Sequence, residues 1–221
     1  MQRLAPWLLT AGLAAVILGC GNDTPTTNLN VGTSGTPNEG SELTTADQVV
    51  SNKGMLFTKG NTMPFSGTLV DSWNTKDGGG KKYECAYIEG LKHGVEMRWH
   101  TNGIRSLRTE YTEGKQHGAR MEWHLNGAKK SHTQFTQGNV EGEARGWHDN
   151  SKPAFHGSYT NGLASGTVQS WWKNGNRAIF QNHYNGKPTG PKVKWYPNGR
   201  TNSITLYQNG IQHGTSTTWH P

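Results

Sequence analysis

Several things that a compact enzyme needs are scarce in this sequence. Of its 221 residues only 31% are hydrophobic, and just two are cysteine. From Ser151 to Pro221 there is no Asp or Glu at all. A thick aliphatic core cannot be filled from such an inventory. With Cys20 and Cys85 as the only thiols, a disulfide framework is excluded. There is no His-Glu-x-x-His, no closely spaced cysteine pair and no Gly-x-Ser-x-Gly elbow. The usual sequence signatures of a catalytic zinc or a serine nucleophile are therefore missing.

Glycine and tryptophan are abundant instead, with 30 and 9 residues. Large rings in place of Leu, Ile and Val suit a thin sheet rather than a thick core. The first 19 residues stand apart: one Arg, then a run from Leu4 to Leu18 that is apolar but for Thr10 and Gly12, in the layout of a secretory signal. The run is too short to span a membrane well. Its ending, Ile17-Leu18-Gly19-Cys20, resembles a bacterial lipobox, which implies a lipidated Cys20 as the first mature residue. Gly21 beside that cysteine implies sorting to the outer membrane. Residues 20–53, rich in Thr, Asn, Gly, Ser and Pro, are expected to form a disordered tether, because they offer too little apolar surface to offset the entropy of ordering. Residues 47–60 are expected to cap the start of the folded part.

That folded part, residues 54–221, is a repeat. Gly94, Gly118, Gly142, Gly166, Gly190 and Gly214 are spaced by 24 residues, each with another glycine four residues earlier. Five residues later comes Trp99, Trp123, Trp147, Trp171, Trp195 or Trp219. Three residues after all but the last of these stands an Asn, usually followed by Gly. Fixed-period self-similarity of this kind marks a repeat array. Within a copy, Val95, Met97 and Trp99 alternate with Glu96, Arg98 and His100, the period of a β-strand. Asn-Gly is expected to supply the tight turn with positive φ at both central residues. The implied fold class is all-β: an open single-layer antiparallel β-hairpin repeat array of about six and a half copies, growing by about 10 Å per copy.

Three finer expectations accompany it. The tryptophans are expected to line one face together with Tyr87, Tyr111, Phe135, Tyr159 and Tyr207. The fifth copy carries His183 at that aromatic position and shifts its ring to Tyr184. Glu143 and Arg145, where earlier copies carry Val95 and Met97, suggest an irregular middle. Upstream, Gly67 lies 27 residues before Gly94, so a divergent first copy with a longer turn is expected, in which Trp73 falls one place late.

With "YTEGKQHGARMEWHLNGAKKSHTQF" as its clearest copy, the chain resembles the bacterial MORN-repeat variant family over about residues 55–221. Members are often labelled YwqK-type antitoxins. The resemblance implies a MORN-like open sheet that binds or scaffolds, and supplies no substrate, cofactor or catalytic residue. An exported, lipid-anchored chain has no cytoplasmic toxin to neutralise.

Ten histidines raise the question of a metal. Same-position residues such as His100, His124 and His148 lie about 10 Å apart in successive hairpins, whereas zinc ligands sit about 2 Å from one ion. No metal, cofactor or catalytic residue is assigned, and Cys85 is expected as a small buried hydrophobe. Charge is more informative. Lys152, Lys173, Arg177, Lys187, Lys192, Lys194 and Arg200 carry the basic balance of the last copies with no acid among them. Trp172, Lys192, Lys194 and Tyr196 form the candidate binding face. The expected function is a non-catalytic outer-membrane lipoprotein, periplasmic or surface-facing, that acts as a protein-interaction or scaffolding module. The alternative is binding of anionic envelope polymer or lipid head groups through the basic C-terminal copies. Nucleic acid is not an expected partner.

Overall fold

The turns set the register of the whole array, and they divide into two kinds. At Glu113-Gly114 both residues are left-handed, with φ of 50° and 75°, and the same holds for Lys53-Gly54, Glu89-Gly90, Gln137-Gly138, Asn161-Gly162, Asn185-Gly186 and Asn209-Gly210. These are the tight two-residue hairpins, whose twist matches that of the flanking strands. At the Asn-Gly turns only the Gly position is left-handed: Gly103 has φ of 81°, and Ser151 takes the place with φ of 64°. The tight turn expected there is thus a wider loop, closed by His100 N–H to Ile104 O at 2.8 Å and Gly103 N–H to His100 O at 2.9 Å. Its Asn serves through its side chain.

The computed structural model describes residues 43–74 and 79–221. The leader (1–19), Cys20 and most of the tether lie outside them. The described strands are β1 (Leu43–Thr45), β2 (Val49–Asn52), β3 (Met55–Thr58), β4 (Gly67–Ser72), β5 (Lys81–Ile88), β6 (Leu91–Trp99), β7 (Arg105–Thr112) and β8 (Lys115–Trp123). They continue with β9 (Lys129–Thr136), β10 (Asn139–Trp147), β11 (Pro153–Thr160), β12 (Leu163–Trp171), β13 (Arg177–Tyr184), β14 (Lys187–Trp195), β15 (Thr201–Gln208) and β16 (Ile211–Thr218). From β4 to β16 every strand is antiparallel to the next in chain order, and β1 adds in parallel beside β4 to make a sheet of 14 strands. The sheet stays open. The first described strand starts at Leu43, within the segment expected as tether.

Residues 43–66 cap the first strands. The hairpin β2–β3 is tied to the array by Leu56 N–H to Gly90 O at 2.9 Å and Gly90 N–H to Phe65 O at 2.7 Å. Under it Val49, Phe65, Leu69, Cys85 and Tyr87 form a buried cluster, with Leu56 and Tyr83 packed against it. Cys85 is fully buried, and Phe65 lies 5.9 Å from the ring of Tyr87. A second, smaller cluster of Val140, Ala144 and Tyr159 sits in mid-array.

Pairing places Tyr111 opposite Gly94 and Thr109 opposite Glu96. Tyr111 therefore shares the Glu96 face, while alternation within β6 sends Val95, Met97 and Trp99 to the other. The tyrosines and tryptophans thus line opposite faces, against the expectation of one shared face. The tyrosine face is the better covered: Glu96 is fully buried, whereas Val95 is 37% exposed. On the tryptophan face cations stand over the rings, with Lys81 Nζ 5.5 Å from the Trp99 centroid and Arg105 5.4 Å from that of Trp123. The middle keeps the regular register, and Glu143 and Arg145 simply pair with each other on the exposed face.

Candidate functional site

Position 100 of the repeat has a task that composition hides. The carbonyl of Trp123 accepts from His100 Nε2 at 3.0 Å, that of Trp147 from His124 at 2.8 Å, and that of Trp171 from His148 at 2.9 Å. A carbonyl only accepts, so each ring must carry its proton on Nε2. In later copies Trp172 Nε1–H donates to Trp195 O at 3.1 Å and the Tyr196 hydroxyl to Trp219 O at 2.8 Å. In the first copy Trp73 Nε1–H donates to Trp99 O at 3.3 Å. Trp73 is therefore not a tryptophan of the Trp99 series displaced by one place: it occupies the His100 position. His100, His124 and His148 are thus rungs of a ladder that ties each loop to the next copy.

Asparagine builds a second ladder along the same edge. Asn102, Asn126, Asn150 and Asn174 donate from Nδ2 to Leu125 O, Asp149 O, Lys173 O and Pro197 O at 2.8, 2.7, 2.9 and 2.6 Å. Their Oδ1 atoms accept from the backbone two residues on, as at Ala128 N, 3.1 Å away. At the opposite edge the tight-turn glycines from Gly90 to Gly210 donate back along the array, for example Gly138 N–H to Gln116 O at 2.8 Å.

The candidate binding residues divide accordingly. Trp172 and Tyr196 sit in the loops as ladder rungs. Lys192 and Lys194 lie on β14, on the tyrosine face, where Lys194 opposes Ile179 and Lys192 opposes Thr205. In the second and third copies the same two columns hold Glu96 with Arg98 and Arg120 with Glu122, paired at 2.5 and 2.6 Å. Lys92 adds a contact of 2.6 Å to Glu96 and stands 4.9 Å from the Tyr111 centroid. Burial acts to raise the Glu96 carboxyl, but the charges of Lys92 and Arg98 outweigh it and hold it below the usual range. In the C-terminal copies there is no such neutralisation. Burial, then the charge of Lys194, pushes the Lys192 ammonium below its ordinary value.

Around these lysines lie polar atoms with nothing to bond. Gln181 Nε2 donates to Asn182 O at 2.9 Å and Thr189 O at 3.0 Å, which leaves its Oε1 without a partner; Ser170 Oγ and His183 Nδ1 also lack one. Ser170 and Gln181 are 2% and 3% exposed. Burial, together with the charge of Lys192, lowers the His183 pKa although a backbone hydrogen bond opposes the change. His183 occupies the tyrosine column, and Tyr184 beside it is 72% exposed. Sequence reading marked the lysines but missed Ser170 and Gln181 as orphaned polar groups, because their burial is set by neighbouring strands.

Among the described residues no group of three His, Cys, Asp or Glu side chains could hold a metal ion, and no helix is long and apolar enough to cross a membrane. A surface hollow of about 460 Å³ is lined by Arg200, Thr201, Ile204, Trp219 and His220. No family model matches the chain, and no curated protein matches it.

Proposed function

We propose that the chain is a non-catalytic recognition or scaffolding module of the bacterial envelope, a MORN-like array held at the outer membrane through a lipid on Cys20. The observation that carries this reading is the open sheet itself. Its ladders fix loops and turns at both edges without building a deep, water-excluding cleft, so a broad surface is what the fold presents. Repeat arrays of this kind use extended surfaces for partners. The test is capture from envelope extract by residues 21–221, which include every described residue. A discrete protein retained at both low and high salt supports the reading. Turnover of any envelope substrate by the purified chain would sink it.

A specific observation favours a second reading, anionic polymer or lipid head groups. Lys192 and Lys194 have no ion-pair partner among the described residues and stand beside buried polar atoms free to bond. Ionic binding through exposed Lys194 and half-buried Lys192 should weaken with ionic strength. Phosphatidylglycerol vesicles should then retain the chain at low salt, release it at high salt, and not bind the Lys192→Glu, Lys194→Glu variant. Trp172→His is the matching control, since it removes the large ring but keeps a ladder donor.

A further inference from the structure

We infer that the tryptophan face is a track for a linear acidic glycan, laid across the strands with one disaccharide to each repeat. The inference rests on the second reading above for its class of partner, an anionic polymer, but not for its residues, since Lys192 and Lys194 lie on the other face.

Strand pairing builds the track. Trp99 stands opposite Arg105, Trp123 opposite Lys129, Trp147 opposite Pro153, Trp171 opposite Arg177 and Trp195 opposite Thr201. Paired residues share a face, so a ring and the residue opposite it alternate from strand to strand. Arg105 also reaches forward to lie 5.4 Å from the Trp123 centroid, as Lys81 lies 5.5 Å from that of Trp99. Ring and cation therefore follow one another with a period of about 10 Å, two strand spacings, broken only where Pro153 and Thr201 take the cation's place. The tryptophans from Trp99 to Trp195 are half-buried, and Trp219 is 41% exposed. The cap folds over the tyrosine face, so among the described residues it leaves these rings uncovered.

Charge density selects the polymer. Lys81 is paired with Glu84 at 2.6 Å, which leaves Arg105, Lys129 and Arg177 as the track's cations without an ion pair among the described residues. Successive cations are thus about 10 Å apart or more. A nucleic acid carries a phosphate every ~3.4 Å of each strand, and an extended acidic peptide a carboxylate every ~3.3 Å. Either sets several unmatched anions against each cation. An extended glycan advances by about one strand spacing per sugar, so alternating acidic and neutral sugars bring one carboxylate and one uncharged ring to each repeat. Its glycosidic links let it follow the twist of the sheet. Two hollows lie on the track at the same repeat position. One, of about 210 Å³, is lined by Met121, Lys129, Ser131, His132, Arg145 and Trp147. In the other, already described, Thr201, Ile204 and Trp219 are Lys129, His132 and Trp147 moved on by three periods. The first holds the liquid volume of about seven waters, room for one pyranose. Within it Arg145 is held by Glu143, so Lys129 is the cation left for a single carboxylate.

The experiment is calorimetric titration of residues 21–221 with hyaluronan oligosaccharides, in which acidic and neutral sugars alternate, at about 0.15 M salt. Affinity should rise by up to about fivefold with each disaccharide that reaches a further cation, the worth of one exposed ion pair. Uncharged chitin oligosaccharides of equal length should bind at least about fivefold more weakly, for the same reason. Lys129→Glu with Arg177→Glu changes two exposed strand ends, and should melt with the parent and lower its affinity for hyaluronan about tenfold or more. The length and charge series are read on the parent chain, so they decide even if that variant unfolds. Lys192→Glu with Lys194→Glu should bind hyaluronan as the parent does, and on that background oligothymidylate should bind no more tightly than hyaluronan. An unbound parent, affinity indifferent to length, equal binding of chitin, tighter binding of oligothymidylate, or a folded Lys129→Glu, Arg177→Glu variant that binds like the parent overturns the inference. So does loss of hyaluronan with the Lys192→Glu, Lys194→Glu change, which places the polymer on the other face. The vesicle experiment above is decided separately from all of these.

Discussion

The two ends of the array solve the same problem in different ways. At the N-terminal end residues 43–66 fold over the tyrosine face and bury Phe65, Leu69, Cys85 and Tyr87. Just beyond, Glu96 is fully buried between Lys92 and Arg98. At the C-terminal end no element among the described residues covers the sheet, the same two columns hold Lys192 and Lys194, and β16 is exposed along its whole length. A repeat contacts only its neighbours, so whatever lies beyond the terminal copy must supply the missing contacts. The cap supplies them at one end. The two ends therefore differ in cover and in charge pairing, with a buried ion pair beside the cap and lysines in its place near the other end.

That contrast is broken most severely by removing a ring from the cap. Phe65→Ala should cost about 3–5 kcal/mol, the usual range for a large buried aromatic, because Phe65 is only 6% exposed. At the other end Ile211→Ala should change stability by no more than about 0.5 kcal/mol, as at other exposed positions. Urea denaturation of the two variants measures both. Equal effects would mean that the cap is an ornament.

The buried ion pair comes next. Glu96→Gln leaves Lys92 and Arg98 without their carboxylate, and should cost about 2–3 kcal/mol at pH 7, less than the ~3–5 kcal/mol of a fully buried pair because Arg98 keeps access to water. The sign of the pH dependence follows from the lowered Glu96 pKa. The unfolded chain takes up the proton first as pH falls. The stabilisation is therefore complete above the ordinary glutamate value near ~4.3 and is lost as pH drops through the folded value. Parent and variant should differ at neutral pH and converge in acid. A constant difference from pH 7 to pH 2 would assign the cost to packing instead of charge.

Much of this was legible in the sequence, and the boundary between what was and was not is physical. Period, strand alternation and the open sheet follow from glycine spacing and side-chain alternation, which are local. Which turn is tight did not follow, since Glu113-Gly114 and Asn102-Gly103 both offer a glycine and only pairing shows which has two left-handed residues. The shared face expected for Trp99 and Tyr111 failed for the same reason, because pairing and not counting along the chain sets Tyr111 opposite Gly94. At the candidate site the lysines were visible as a charge pattern. The duty of Trp172 and Tyr196 was not, although a signal existed. Positions 73, 100, 124, 148, 172 and 196 read Trp, His, His, His, Trp, Tyr, which share no chemistry except a ring carrying an N–H or O–H donor.

The ladders run through both halves, so they sharpen the comparison by being equal in each. Asn126→Ala removes one bond across copies and one within the loop, and Asn174→Ala removes the same pair. Each should cost about 1–2 kcal/mol, two exposed hydrogen bonds at roughly 0.5–1 kcal/mol apiece. Being far apart, the two should add, which urea denaturation of the double variant checks. His148→Ala should cost about 1 kcal/mol and His148→Trp should recover most of it, since Trp172 shows that an indole reaches the same carbonyl.

The smallest effect probes the turns. The last three tight turns open with Asn161, Asn185 and Asn209, whereas the three before them open with Glu89, Glu113 and Gln137, all left-handed, Glu89 with φ of 49° and the other two with 50°. Asparagine tolerates that region better than longer side chains, because its short amide can bond the local backbone. Glu113→Asn should therefore stabilise by about 0.5 kcal/mol, a fraction of the ~1–2 kcal/mol that a left-handed residue costs. In a quasi-linear array the gain should be local. Hydrogen exchange should slow at Gly114 and at Gly138, whose N–H reaches back to Gln116 O, and stay unchanged beyond Gly186. The reverse change, Asn185→Glu, should loosen its own turn by a similar amount. If both substitutions were silent, the copies would owe nothing to their turn residues, and any difference in stability between the two halves would come from the cap and the Glu96 cluster alone.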